Sequence, residues 1–173
     1  MIQLIFKRNG EPVHTTDADH VHTLTLSDLT GQPGGSDDEG TDVLDLDETA
    51  ALNVTVDLNG LTLPAGKARP IIDAAQRITD VHARETFWAW TANLGRNVTA
   101  YHDATDVHAA FKRAYVTTAL SREQYLREAL SEAGTDLPRA LTKFIDWEAY
   151  AESERDEIFV DLKDGHVGIF NPN

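Results

Sequence analysis

Two glycine-centred turns constrain this chain more than any other feature. Asn59-Gly60 separates the alternating Leu52, Val54, Val56 and Leu58 from Leu61-Thr62-Leu63. Asp164-Gly165 separates Ile158-Phe159-Val160 from Val167-Gly168-Ile169-Phe170. Asn-Gly and Asp-Gly readily take the positive φ angles of a tight hairpin, and period-two apolar runs on either side predict antiparallel strands. Between the two hairpins the apolar period changes from two to that of a helix. Pro70 opens a helical stretch carrying Ile71, Ile72, Ala74, Ala75, Ile78 and Val81, then Phe87, Trp88, Trp90 and Leu94, with a stop at Gly95. It breaks near Thr79-Asp80, where Asp80 is placed to cap a second helix. Pro64-Ala65-Gly66-Lys67-Ala68 reads as a linker. A further helix is expected from about Ala104 to Val116, with Val107, Ala110, Phe111, Ala114 and Tyr115 on one face.

The ends of the chain fill in the plan. Residues 1–7 predict a strand, Asn9-Gly10 a turn, and Val21, Thr23 and Thr25 a second strand. Gly31-Gln32-Pro33-Gly34-Gly35-Ser36-Asp37-Asp38-Glu39-Gly40 lacks the apolar residues to pack and predicts a loop. Beyond residue 120, Ser121 caps a helix, with Gln124 placed to reach back as a capping box and Gly134 to end it. Asp136-Leu137-Pro138 starts a second short helix and Asp146 caps a third, which Trp147 and Tyr150 should anchor to the terminal sheet. The fold class is α+β. It divides into a β-rich N-terminal unit with an acidic loop over 1–66, a helical middle unit over 67–104, and a C-terminal unit over 105–173 of helices packed on a short antiparallel sheet.

Charge is distributed unevenly. The formal net charge is −14, from 15 basic and 29 acidic side chains. Such a field repels nucleic acid and anionic membranes and draws in basic surfaces. Asp37, Asp38, Glu39, Asp42, Asp45, Asp47, Glu48 and Asp57 occupy residues 36–57 with no base among them. Asp146, Glu148, Glu152, Glu154, Asp156, Glu157, Asp161 and Asp164 face only Arg155 and Lys163. Bases outnumber acids between residues 66 and 127. A salt-adapted surface would be acidic throughout, so two acidic poles around a mildly basic middle favour a dedicated electrostatic surface. Two groups stand out as binding candidates: Asp146, Glu148, Glu152, Glu154, Asp156, Glu157 and Asp161, and a second acidic surface over Asp37–Glu39, Asp42, Asp45, Asp47 and Glu48.

Other chemistry is thinly represented. There is no cysteine, which excludes disulfides and thiolate metal sites. His14, Asp17, Asp19, His20 and His22 contain ligand types for a divalent metal, but no His-Glu-x-x-His accompanies them, and the expectation is of surface histidines binding no structural metal. Phe87, Trp88 and Trp90 are expected to be packing aromatics. No nucleophile elbow, phosphate-binding glycine loop or paired-carboxylate signature appears, so the chain is not expected to be an enzyme or to need a cofactor. No apolar run is long enough to span a membrane, and the N-terminal one is too short for a signal peptide, which leads to the expectation of a cytoplasmic protein.

The helix carrying Phe111 and Tyr115, then Ser121-x-x-Gln124-Tyr125, then Ile145-Asp146-Trp147-Glu148-Ala149-Tyr150-Ala151 and the closing strands, resemble in that order the C-terminal part of the ArdA-type antirestriction proteins. These are acidic proteins of plasmids, transposons and phages. The resemblance covers residues 105–170. Upstream, Leu26-Ser27-Asp28-Leu29 and Val43-Leu44-Asp45-Leu46 stand where that family opens its sheet domain, without the family's Tyr-Asn-Gly turn or its tryptophan. The resemblance implies an elongated homodimer that imitates duplex DNA and fills the DNA-binding groove of type I restriction–modification enzymes or a similar defence complex of the bacterial host. The alternative is an acidic protein-interaction or structural protein of a phage or plasmid that shares only the C-terminal fold. A metal-dependent enzyme using His and Asp is the third reading. Phe87, Trp88, Trp90, Phe111 and Tyr115 add a further reason to expect a dimer, since small subdomains struggle to hide so much aromatic surface. Light scattering should accordingly give twice the mass of one chain at micromolar concentration, and a monomer would refute the dimer.

Overall fold

The computed structural model describes residues 3–17, 54–58, 60–135, 137–154 and 156–172. The N-terminal sheet has the antiparallel order β2-β1-β3-β4, from β1 (Gln3–Arg8), β2 (Glu11–Asp17), β3 (Val54–Leu58) and β4 (Leu61–Pro64). β1 and β2 turn at Asn9 and Gly10, whose φ angles of 52° and 88° are the left-handed pair a two-residue hairpin requires. β2 is an edge strand with no buried residue, so no apolar alternation announced it in the sequence. The strand expected around Val21, Thr23 and Thr25 and the loop over 31–40 lie outside the described residues.

Helix α1 (Ala65–Gln76) begins directly after β4, and Pro70 lies inside it. The expected linker is therefore helix. Its alanines decide this: Ala65 and Ala68 are buried, and α1 packs on β3 and β4. That burial offsets the backbone hydrogen bond that Pro70 cannot donate. α2 (Val81–Leu94) is capped by Asp80, whose Oδ1 accepts from the Ala83 amide at 2.7 Å, and it ends at Gly95 with φ 57°. A 3-10 turn (Gly95–Ala100) leads to α3 (Ala104–Ala114). The amides of Asp106 and Thr105 bond the Asp103 cap and hold its carboxyl below the usual range. The helix expected to reach Val116 stops at Ala114. Tyr115-Val116-Thr117-Thr118-Ala119 is instead strand β5 (Tyr115–Ala119), because its β-branched run pairs with the last strand of the chain.

α4 (Arg122–Glu132) is capped by the Ser121 hydroxyl, which accepts from the Gln124 amide at 3.1 Å. The Gln124 side chain does not close the capping box; it donates forward to Glu128 at 3.0 Å. Gly134, at φ 80°, ends this segment. A single turn, α5 (Arg139–Thr142), precedes α6 (Trp147–Glu154), and the hairpin of β6 (Ile158–Asp161) and β7 (Val167–Phe170) closes the chain. The second sheet has the antiparallel order β5-β7-β6. α6 packs chiefly on α4 rather than on this sheet, and the Trp147 indole donates to the Thr142 carbonyl at 3.2 Å.

The architecture is thus α+β, with two antiparallel sheets at the ends of a helical middle. One buried cluster runs from Leu4, Phe6 and Val56 of the first sheet through Ile71, Ile72, Phe87, Trp90 and Phe111 to Phe170 of the second. Phe87 and Phe111 meet edge-on at 5.2 Å, and Trp90 lies 5.5 Å from Phe111. Phe87, Trp88, Trp90 and Phe111 are all buried within the single chain. A single chain therefore hides these aromatics without a partner, and the expectation of a homodimer rests on the resemblance alone.

The second sheet is covered on both faces. Ile158 and Val160, opposite Phe170 and Gly168, pack toward the main cluster. Phe159, opposite Ile169, meets Tyr125 of α4 on the other face, with ring centres 5.7 Å apart. α2 approaches β7 so closely that a Cβ at Gly168 would overlap the Thr86 side chain. Gly168→Ala should therefore destabilise the fold by about 1–3 kcal/mol, as overpacked cores do, with part of the loss recovered by adding Thr86→Ala. Urea denaturation midpoints test this, and an unchanged midpoint for the glycine variant would contradict the close approach.

Candidate functional site

The carboxylates singled out near the C-terminus gather on α6, its exit and β6, but they divide into two kinds. Asp146 caps α6, accepting from the Ala149 amide at 3.1 Å. Glu157 accepts from the Tyr125 hydroxyl at 2.7 Å. Asp161 accepts from both terminal nitrogens of Arg122, at 2.6 and 3.2 Å, although the aspartate side chain remains 70% exposed. The latter two pairs tie β6 and its approach to α4. Glu148, Glu152 and Asp156 are exposed, and their carboxylates have no hydrogen-bond or ion-pair partner among the described residues. Glu154 is the last residue of α6.

Glu148, in the first turn of α6, complements the helix dipole, but the acids that follow it do not. Glu148 and Glu152 stand one turn apart, about 6 Å along the axis. A like-charged pair at this spacing costs a helix about 0.2–0.5 kcal/mol. Glu152 also lies in the last turn, where the helix dipole disfavours an anion, and no basic residue offsets it there. At the N-terminal approach to α6, Phe144 is 76% exposed and Leu141 is 52% exposed. The Lys143 ammonium sits 4.9 Å from the centre of the Phe144 ring. Acidic and apolar groups thus adjoin along this segment of the chain.

A second constellation was not anticipated from the sequence. His82, in the first turn of α2, meets Asp164 and His166 in the turn between β6 and β7. Their ligand-type atoms all lie within 4.8 Å of one another. His82 Nε2 is 2.5 Å from Asp164 Oδ2, and His166 Nδ1 is 3.0 Å from the same oxygen. The two imidazoles stack with centres 4.2 Å apart and planes 23° apart. Desolvation pushes the Asp164 carboxyl up, but the His166 amide and the two imidazoles outweigh it and hold the group down at about 2. His82 and Asp164 are far apart in sequence, and the only local signal is an Asp-x-His in a turn. The earlier histidine candidates fare differently: His14 lies on β2 beside Phe6, while His20, His22 and Asp19 fall outside the described residues. So does the second acidic surface, Asp37, Asp38, Glu39, Asp42, Asp45, Asp47 and Glu48.

Comparison with known proteins gives no match, whether to a family model, a curated protein or a solved structure. No helix among the described residues is long and apolar enough to cross a membrane.

The Asp164 contacts have a pH signature. Because its folded pKa of about 2 lies below the ordinary 3.8, the carboxylate's stabilising contribution is complete above pH 3.8 and is lost as pH falls through the folded value. Asp164→Asn should lower the melting temperature at pH 7, and the gap from the native protein should narrow steadily between pH 4 and pH 2. Thermal unfolding across that range measures it; a gap that stays constant would show that the aspartate is not held as an anion by its neighbours.

Proposed function

We propose that this protein is a non-enzymatic inhibitor that occupies the DNA-binding groove of a type I restriction–modification enzyme or a similar defence complex, offering carboxylates where duplex DNA offers phosphates. The observation that carries the reading is the set of exposed, unpartnered acids on and just after α6, Glu148, Glu152 and Asp156, of which Glu152 lies in the last turn, against the helix dipole. Charges that cost local stability are readily understood when a partner uses them. Lys and Arg side chains that normally hold phosphates would supply the complementary field. Phe144 and Leu141 would add apolar contact beside the charged row, since exposed aromatics often anchor interfaces. The resemblance over residues 105–170 names the target class.

On this reading the protein acts in the cytoplasm of a bacterial host and needs no cofactor. A homodimer would join two acidic surfaces into one longer tract, and the acidic residues of 37–48 would extend it. Binding should be fast and should weaken as salt rises.

The test is competition between the protein and duplex DNA for a purified type I restriction–modification enzyme. Single changes of Glu148, Glu152 or Asp156 to the amide should each weaken inhibition by less than about fivefold, since an exposed ion pair contributes about 0–1 kcal/mol. Reversal of all three to lysine should weaken it at least about thirtyfold, because repulsion then replaces attraction at three points on one surface. Full inhibition by a folded triple variant, or none by the native protein, would overturn the proposal.

A further inference from the structure

We propose that His82, Asp164 and His166 form a binding site for a divalent transition-metal ion of the zinc class, with its remaining coordination positions open to solvent. Two imidazoles and one carboxylate are the donor set such ions prefer, whereas magnesium and calcium favour oxygen donors. This inference is independent of the inhibitor reading, since it uses none of the α6 carboxylates.

The donors converge. His82 Nε2 and His166 Nδ1 both lie near one atom, Asp164 Oδ2, at 2.5 and 3.0 Å. A shared oxygen marks the place both nitrogens reach, and rotation of the aspartate side chain together with a turn of the His166 ring leaves that place to a cation with the carboxylate as third ligand. In a tetrahedral zinc site with bonds of about 2.0–2.1 Å, neighbouring donors stand about 3.3 Å apart. The contacts need to open by less than about 1 Å to reach that spacing. His166 Nδ1 is shielded from solvent yet has no well-aligned hydrogen-bond partner among the described residues, so its lone pair or proton is poorly used as the site stands.

The scaffold beneath these donors is rigid. His82 stands two residues after the Asp80 cap of α2. Asp164 and His166 flank Gly165, at φ 88°, and three hydrogen bonds pin that turn. The Leu162 amide donates to the His166 carbonyl at 2.8 Å, the Gly165 amide to the Leu162 carbonyl at 3.1 Å, and the His166 amide to Asp164 Oδ1 at 3.1 Å. The two imidazoles stack face to face, 4.2 Å apart, so one ring swings out of the stack when both nitrogens take up a single ion. His82 and His166 also line a recess of about 350 Å³ whose other walls include Tyr115, Thr117, Thr118 and Gln124. Three protein ligands beside an open, partly polar recess is the arrangement of zinc sites that keep a position for water or an exogenous ligand, rather than of closed four-ligand structural sites.

The test uses the full chain without a histidine tag and zinc alone as the probe. Titration followed by 15N NMR of the imidazoles should saturate at one equivalent and move the His82 and His166 nitrogens while leaving His14 unchanged. A competing chromophoric chelator should show His82→Ala and His166→Ala each weakening zinc by more than about 100-fold, beyond the range seen on losing a group that only hydrogen-bonds a ligand. His14→Ala should match the native protein, and millimolar magnesium should not compete. Absence of saturable zinc binding, shifts confined to other histidines, or unchanged affinity in folded His82 and His166 variants would each overturn the site. The NMR arm on the native protein keeps the answer clear if a variant does not fold.

Discussion

The close approach of α2 to β7 is the constraint on which the rest of the molecule depends. Gly168 leaves room for Thr86 against the central strand of the second sheet, and no side chain with a Cβ fits there. With that approach made, Phe87 and Trp90 reach Phe111 and join α2 to α3, while His82 in the first turn is brought to the β6–β7 turn. α2 is consequently buried on more than one side. Its buried hydroxyls are satisfied within the helix: Thr86 donates to the His82 carbonyl and Thr91 to the Trp88 carbonyl, both at 2.8 Å. Buried polar groups cost little when so paired. A helix packed between a sheet and two other helices need not have a sharply polar face.

The acidic residues of the C-terminal unit are of two kinds that composition cannot separate. Asp161 and Glu157 are joined to Arg122 and Tyr125, and Asp146 holds the start of α6. These carboxylates belong to the fold as well as to the charged surface. Glu148, Glu152 and Asp156 stand outside it, so a charge count overstates the part free to meet a partner. The distinction matters physically, because an anion already paired to a guanidinium attracts a second cation far less than a solitary one does.

The two constellations also lie on different parts of the molecule. The unpartnered acids follow α6, which packs on α4, whereas the His–Asp–His group sits where α2 meets the β6–β7 turn. Both use the terminal hairpin, the acids through its approach and the histidine group through its turn. That hairpin is in turn held from both sides, by the aromatic cluster on one face and by Tyr125 on the other.

Local sequence determined what depends on neighbouring residues. The hairpins at Gly60 and Asp164-Gly165, the caps at Asp80, Ser121 and Asp146 and the stops at Gly95 and Gly134 were legible because turn and cap chemistry acts over a few residues. Tertiary contact decided the rest. Ala65 and Ala68 became helix because the fold buries them, and Tyr115 became strand because Phe170 of β7 supplied its partner. β2 was invisible because an exposed edge strand carries no apolar alternation. The division of the C-terminal carboxylates was equally hidden, since Arg122 and Tyr125 reach Asp161 and Glu157 from α4. Most of all, His82 meets Asp164 and His166 only because α2 is pressed against the last hairpin, and no spacing rule spans that separation: the chain's long-range closure, not its local pattern, puts those three side chains together.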